Sequence, residues 1–281
     1  MKKDPCGTLF IVSTPIGNLA DMSHRAIKTL GLADCIACED TRQSKKLLDH
    51  YRINSSLIAY HEHSSAKITD KLLTMLARGR NVAVISDSGT PLISDPGFRL
   101  VYRARQEGYE VVPIPGSCAL IAALCVSGLA TDRFSFIGFL PSKSLQRKEA
   151  LKGLQKFGHT VICYESPHRI KDTLCDAIEI LGANRNAFIA REMTKMYETY
   201  LAGNLGELAN LVSCDTYQQK GEIVLVIEAP NECREISLEA ERILLLMLKE
   251  FSVSKAALLT AQITGLAKRT IYKKALDLTD R

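Results

Sequence analysis

The chain has no long apolar run. Its longest ones, such as Val82-Ala83-Val84-Ile85 and Ala119 to Val126, are far shorter than the roughly 18 residues of a membrane-spanning helix, so no span is expected. The start, Met1-Lys2-Lys3-Asp4-Pro5, carries positive charge but meets Pro5 and Gly7 and then a short β-branched run where a signal peptide would be apolar. A cytoplasmic location is therefore expected. Paired cysteines are missing too. The nine cysteines stand singly in segments such as Ile162-Cys163-Tyr164, as small buried hydrophobes do in a reducing compartment. Cys35-Ile36-Ala37-Cys38 has the spacing of half a zinc site, but no second pair follows, and two strand cysteines are the expected reading. The net charge of +5 is too small to argue for a polyanionic partner by itself. Phosphate-binding fingerprints are absent. No Gly-x-Gly-x-x-Gly follows a strand and opens a helix, and no Gly-x-x-x-x-Gly-Lys-Ser/Thr occurs anywhere.

What is present is an ordinary globular composition, 46% apolar and 24% charged over 281 residues, enough for two compact units and a small appendage. Short apolar runs at Leu9 to Ser13, Cys35 to Cys38, Leu57 to Tyr60, Val82 to Ser86 and Glu110 to Ile114 alternate with helical patterns. This predicts a mostly parallel, helix-covered sheet. Pro113-Ile114-Pro115-Gly116-Ser117 stops that pattern, because two prolines and a glycine cannot continue a ladder. Strand candidates resume at Ser135 to Phe139, Thr160 to Tyr164, Ala187 to Arg191 and Ile223 to Glu228, and after Pro230 the pattern is helix only. The expected units are an α/β domain over 1–116, a second over 117–230, and a helical tail over 236–281.

The expected ligand loops lie at the carboxyl ends of strands, where open α/β sheets bind. Ser13-Thr14-Pro15-Ile16-Gly17-Asn18-Leu19 follows the first strand, and taken alone it reads more simply as an ordinary turn. Ser86-Asp87-Ser88-Gly89-Thr90-Pro91 packs small residues and several donors and acceptors into one turn, which suits a polar ligand without phosphates. Ser94-Asp95-Pro96-Gly97 reads more simply as a cap on the next helix.

These stretches, together with Glu39-Asp40-Thr41-Arg42, Tyr60-His61-Glu62-His63, Pro115-Gly116-Ser117, Tyr164-Glu165-Ser166-Pro167-His168-Arg169 and Arg191-Glu192-Met193-Thr194-Lys195, occur in order over nearly the whole chain. Together they resemble the ribosomal RNA 2'-O-ribose methyltransferases of the tetrapyrrole methylase superfamily. The resemblance implies a two-domain α/β fold distinct from the Rossmann methyltransferases, S-adenosyl-L-methionine as cofactor, a homodimer, and a cytidine of small-subunit ribosomal RNA as substrate. It places Pro15, Gly17, Asp87, Gly89, Thr90, Pro91, Ser117, Cys118, Ala119 and Tyr164 at the cofactor.

The hydroxyl of a ribose is a poor nucleophile at neutral pH, so the enzyme must orient it and take its proton. Glu39, Asp40, Glu165 and Glu192 are the acids considered for this, with Glu165 first. Glu165 stands just after a strand; the alternative is that it pairs with Arg169 four residues on and supports the loop. Arg42, Arg169, Arg191 and Lys195 are available for phosphates. His61 and His63 suit RNA contact or structural hydrogen bonding better than a metal, because only two ligands are visible. In the tail, two helical patterns flank Gly265, and the second carries Lys268, Arg269, Tyr272 and Lys273. That is the order of a helix-turn-helix with a basic second helix, or of a helical pair that docks for stability. The alternatives to an RNA enzyme are a tetrapyrrole-type small-molecule methyltransferase, which needs no basic tail, and a nucleic-acid-binding metabolite sensor.

Overall fold

The computed structural model describes residues 6–61, 64–230, 238–266 and 268–279. They form two compact units that divide between Ala229 and Pro230.

The first unit opens with an alternation of strand and helix: β1 (Thr8–Val12), α1 (His24–Leu32), β2 (Cys35–Cys38), α2 (Thr41–His50), β3 (Ser56–Ala59), α3 (Ala66–Ala77), β4 (Val82–Val84), α4 (Phe98–Gln106) and β5 (Glu110–Ile114). Local caps start these helices. The Ser23 hydroxyl accepts from the Ala26 amide, and Asp40 accepts from the Arg42 and Gln43 amides, which satisfies donors that a helix start leaves open. The five strands pair in parallel in the order β3-β2-β4-β1-β5. Successive side chains point to opposite faces. Ile36, Cys38, Ala83 and Val12 therefore pack with Ala26, Leu30 and Leu48, while Cys35, Ala37, Val82 and Val84 pack with Leu72, Leu76 and Leu100. Cys35 and Cys38 thus lie on opposite faces of the sheet and cannot share a metal. Pro113 is tolerated inside β5 because that strand is an edge, paired only with β1.

The chain continues with α5 (Ala119–Val126), β6 (Phe134–Phe139), α6 (Ser144–Leu154), β7 (Thr160–Glu165), α7 (Ile170–Leu181), β8 (Asn186–Arg191), β9 (Thr199–Asn204), α8 (Leu205–Cys214) and β10 (Ile223–Ile227). The second sheet has the order β6-β7-β10-β8-β9, parallel between β6 and β7 and antiparallel elsewhere. Helices α6, α7 and α8 cover one face through Leu151, Leu174 and Leu208. On the other, Leu120, Ala123 and Leu124 of α5 meet Ile162, Phe188, Ala190 and Val224, joined by Ile16 from the turn after β1.

Two elements have no counterpart in the sequence reading. The apolar run Ala119–Val126 is a helix, and β9 is an edge strand whose Ala202-Gly203 gives little alternation to read. Within α6, Arg147 is buried and paired with Asp176 at 2.7 Å, and Lys148 reaches Glu179 at 2.6 Å.

The second unit is α9 (Leu238–Glu250), α10 (Val253–Thr264) and α11 (Lys268–Thr279). Gly265 ends α10 at φ 68°, in the left-handed region that suits glycine. Ala240, Leu244, Ala256, Ala257, Ile271 and Ala275 make its core, and Lys274 pairs with Glu241 at 3.0 Å. Helices α10 and α11 are the helix-turn-helix pair.

Candidate active site

Three of the expected ligand turns meet because β4, β1 and β5 are neighbours in the sheet. The turn after β1 and the turn after β4 exchange two backbone hydrogen bonds, Thr14 N–H to Gly89 O at 2.8 Å and Gly89 N–H to Thr14 O at 3.2 Å. Thr90 Oγ1 lies 2.9 Å from Ser13 Oγ and donates to the Ser117 carbonyl at 2.9 Å, which adds the turn after β5. Glycine makes this approach possible. A Cβ on Gly116 would stand 2.8 Å from the Ser13 Cβ, and Gly89 has φ 81°.

Beside these turns lies a cavity of about 350 Å³, near the lower end for small-molecule sites. Gly89, Thr90, Cys118, Ala119 and Tyr164 line it, as do Ser94, Asp95, Phe139, Met193, Glu222 and Val224. Burial pushes the Tyr164 hydroxyl up to about 12. Asp95 is pushed up to about 6, first by burial and then by the nearby Glu39 and Asp87 charges, against a lowering contact from Ser86. Ser94 and Asp95 are not a helix cap: α4 begins after Gly97, with no side-chain cap hydrogen bond. The segment is strained, with φ 72° at Leu92 and 65° at Ser94, and such strain concentrates at functional sites.

A second cavity of about 330 Å³ adjoins the first and shares Ile16, Ser88 and Glu222 with it. It is lined by Pro15, Gly17, Lys46, Leu47, Ser86, Asp87 and Lys195. Asp87 braces its wall by accepting the Asp40 amide at 3.1 Å. Lys195 ion-pairs with Glu192 at 2.9 Å and Glu222 at 3.1 Å. Burial pushes the Glu192 carboxyl up, but the Lys195 ammonium and the Glu222 amide outweigh it, and the net shift is down.

The family model of the tetrapyrrole (corrin/porphyrin) methylases matches residues 8–209, from β1 into α8. The chain belongs to this family. The RsmI C-terminal HTH domain model matches residues 234–279 of the same methylase. It is 47% identical over 274 residues to the ribosomal RNA small subunit methyltransferase I of Pseudomonas aeruginosa, covering 96% of this chain and 97% of that one. It is 46% identical to the protein of the same name from Escherichia coli O157:H7, covering 96% and 95%. The methyltransferase CobJ shares the fold at a TM-score of 0.58 and 18% identity, over 79% of this chain and 94% of its own. The family is one of S-adenosylmethionine-dependent enzymes, and this methylase is a methyltransferase.

The geometry redistributes the expected site residues of the methylase. Of those expected at one cofactor cleft, five line the first cavity and Pro15, Gly17 and Asp87 line the second. Pro91 and Ser117 line neither. Glu165 borders the first cavity, but its side chain is 0% exposed. It accepts from the Ser166 amide at 2.7 Å and Thr173 Oγ1 at 2.6 Å, with Arg169 Nε at 3.3 Å. These contacts favour the supporting reading, because both carboxylate oxygens already hold partners within the fold. Asp40 is occupied as the cap of α2, and Glu39 is exposed beside it.

Two arginines expected at phosphates make several hydrogen bonds within the fold. Arg169 donates to the Leu140 carbonyl at 2.5 Å and the Pro141 carbonyl at 3.1 Å. Arg191 is buried and donates to Tyr197 O, Thr199 Oγ1, Lys220 O and Gln218 Oε1. Each guanidinium thereby satisfies carbonyls that the sheet leaves unpaired. Arg42, His61, Lys268, Arg269 and Lys273 are exposed, and His63 lies outside the described residues. Sequence reasoning missed Asp95, Met193 and Gly221-Glu222-Ile223-Val224. Asp95 was visible in Ser94-Asp95-Pro96-Gly97 but assigned to a cap; Gly221, with φ 81°, carried only a single-glycine signal.

Proposed function

We propose that this methylase transfers a methyl group from S-adenosylmethionine to the ribose 2'-oxygen of a cytidine in small-subunit ribosomal RNA, in the cytosol and as a homodimer. The observation that carries the reading is the near-full-length agreement, tail included, with two relatives both named ribosomal RNA small subunit methyltransferase I.

The first cavity fits the cofactor. Its lining includes no lysine or arginine but does include Asp95 and Glu222, a balance that favours a cationic ligand over a phosphate. Gly89, Cys118 and Ala119 let a ligand approach the backbone, while Tyr164 and Met193 offer apolar surface for a purine. S-adenosylmethionine, when bound, supplies a methyl group activated by its sulfonium. The second cavity, with Lys46 and Lys195 on its wall, suits a phosphate-bearing substrate. The two meet at Ile16, Ser88 and Glu222.

Asp95 is the carboxylate suited to take the hydroxyl proton. It lines the cofactor cavity, and Ser86, within hydrogen-bonding reach of it, lines the substrate cavity. A proton affinity near 6 matches a base that works at neutral pH. Its rivals are engaged: Glu165 in bracing, Asp40 in capping, Glu222 with Lys195.

The outer face of α11 presents Lys268, Arg269, Tyr272 and Lys273 opposite the buried Ile271 and Ala275, which suits a phosphate backbone. Helix α5 is apolar on every side, as buried helices are, yet Ile121 and Val126 are exposed; a second copy would cover them. Val126→Glu should then shift sedimentation from dimer to monomer.

The test is transfer of labelled methyl to small ribosomal subunits from cells that lack this gene. Label should appear on the 2'-oxygen of a cytidine after nuclease digestion. Label on a base, or only on a small-molecule acceptor, would overturn the proposal. Removal of residues 236–281 separates the rivals, since a small-molecule methylase should keep its turnover and an RNA enzyme should lose affinity.

A further inference from the structure

The segment from Glu192 to Glu198 joins β8 to β9 and is held in an unusual conformation. Glu192 has φ 51° and Thr194 φ 66°, values that L residues adopt only when their surroundings impose them. The surroundings here do so at many points. The Glu192 amide donates to the Glu222 carbonyl at 2.9 Å, and the Asn18 amide donates to Thr194 Oγ1 at 3.1 Å. The Thr194 amide donates to the Glu198 carboxylate. From beneath, Arg191 Nη2 donates to the Tyr197 carbonyl at 2.8 Å. Gly17 allows close contact: a Cβ there would lie 2.5 Å from the Lys195 Cγ.

This rigid loop displays apolar side chains to solvent. Met196 is 88% exposed and Tyr197 70%, although Lys195 next to them lines the second cavity. The same Arg191 guanidinium binds Gln218 Oε1, which ties in the turn carrying Tyr217. Tyr217 is 69% exposed, and the Lys220 ammonium stands 4.8 Å from its ring centroid. A rigid backbone bearing exposed rings and a cation, beside the cavity that takes the target nucleotide, is the composition of a base-stacking platform.

We infer that Met196, Tyr197 and Tyr217 form a preorganised platform on which unpaired RNA bases flanking the target nucleotide stack, with Lys220 against the backbone. This rests on the proposed RNA substrate. The loop's hydrogen bonds fix the backbone that carries these side chains before RNA arrives, which lowers the ordering entropy lost on binding.

The chain contains no tryptophan, so Tyr197→Trp places a single fluorescent reporter in the loop. Titration with a single-stranded RNA oligonucleotide should quench its fluorescence, with the midpoint moving to higher RNA concentration as salt rises. Tyr197→Ala and Tyr217→Ala should each raise KM for the ribosomal substrate about tenfold and move kcat little, given the usual stacking loss per base. Tyr197→Phe should restore KM, and calorimetric affinity for S-adenosylmethionine should stay at the wild-type value. A reporter that RNA leaves unquenched, or alanine variants with wild-type KM, would overturn the platform while wild-type RNA methylation continues. A variant that changes the sedimentation coefficient would overturn it too, by showing a protein interface instead. If the wild-type protein methylates no RNA, it is the proposed substrate that fails.

Discussion

Asp95→Asn should make the protein more stable and less active at the same time. Burial raises the Asp95 carboxyl from 3.8 to about 6. At about 1.4 kcal/mol per tenfold change in proton affinity, the folded chain gives up at most about 3 kcal/mol by keeping this group ionised at neutral pH. Partial exposure reduces that to about 2 kcal/mol. Because the folded value is raised, the native state holds its proton more tightly than the unfolded chain. Below about pH 4 both states are protonated and the difference vanishes; as pH rises from 4 through 6 the wild type loses stability relative to the variant.

Asparagine is neutral and nearly isosteric, so it avoids that loss. Urea unfolding of the cofactor-free protein at pH 7.5 should show the variant about 2 kcal/mol more stable, roughly 5 °C in Tm for a unit of this size. At pH 4 the gap should nearly close. Loss of a general base should lower kcat about 10² to 10⁴-fold, and the wild-type rate should rise with pH through about 6. A variant that is destabilised at pH 7.5 would refute the desolvation argument. One that keeps its kcat would remove Asp95 from the chemistry.

The other carboxylate separates bracing from catalysis. Glu165→Gln keeps a partner for Thr173 and should cost about 1 to 2 kcal/mol in chemical denaturation with kcat within a fewfold, whereas Glu165→Ala strands the Arg169 side and should cost about 3 kcal/mol. A thousandfold loss of kcat in a Gln variant of unchanged stability would return Glu165 to the reaction. Gly221→Ala adds a Cβ 2.3 Å from Glu192 side-chain atoms at φ 81°, so it should displace the Glu192–Lys195 pair and raise KM for RNA more than KM for the cofactor in steady-state assays. Replacing Lys268, Arg269 and Lys273 together by Gln should flatten the slope of log affinity against log salt by about 2, at roughly 0.7 to 0.9 per phosphate contact. An unchanged slope would show that α11 does not touch the backbone.

Strands and helices with strong periodicity were legible in the sequence, and so were the turns after β1, β4 and β5, because Pro, Gly and small polar residues mark them locally. Their meeting was not legible. It depends on the order β3-β2-β4-β1-β5, in which strands far apart in sequence become neighbours, and no local pattern encodes that order. The same limit explains the ligand turns. Pro15, Gly17 and Asp87 belong to one cavity and Gly89 and Thr90 to its neighbour, although Asp87 and Gly89 are two residues apart. A tight turn reverses the direction of its side chains within a residue or two, so one motif serves two walls.

Charge was the least legible property, for a physical reason. A guanidinium offers five donors and is as useful to the unpaired carbonyls at the end of a sheet as to a phosphate. Arg191 follows Ala190 at the carboxyl end of β8, where β9 and the turn before β10 leave acceptors within reach, and it binds two carbonyls and two side-chain oxygens there. Its contribution to RNA binding is then indirect. By fixing the Tyr197 carbonyl it holds the backbone that carries the exposed ring, so on the proposed platform the buried cation supports an aromatic contact where a phosphate contact was expected. Arg191→Lys, which keeps the charge but loses the fork, should therefore lower affinity for RNA without changing its salt slope, while loss of a true phosphate contact must lower both.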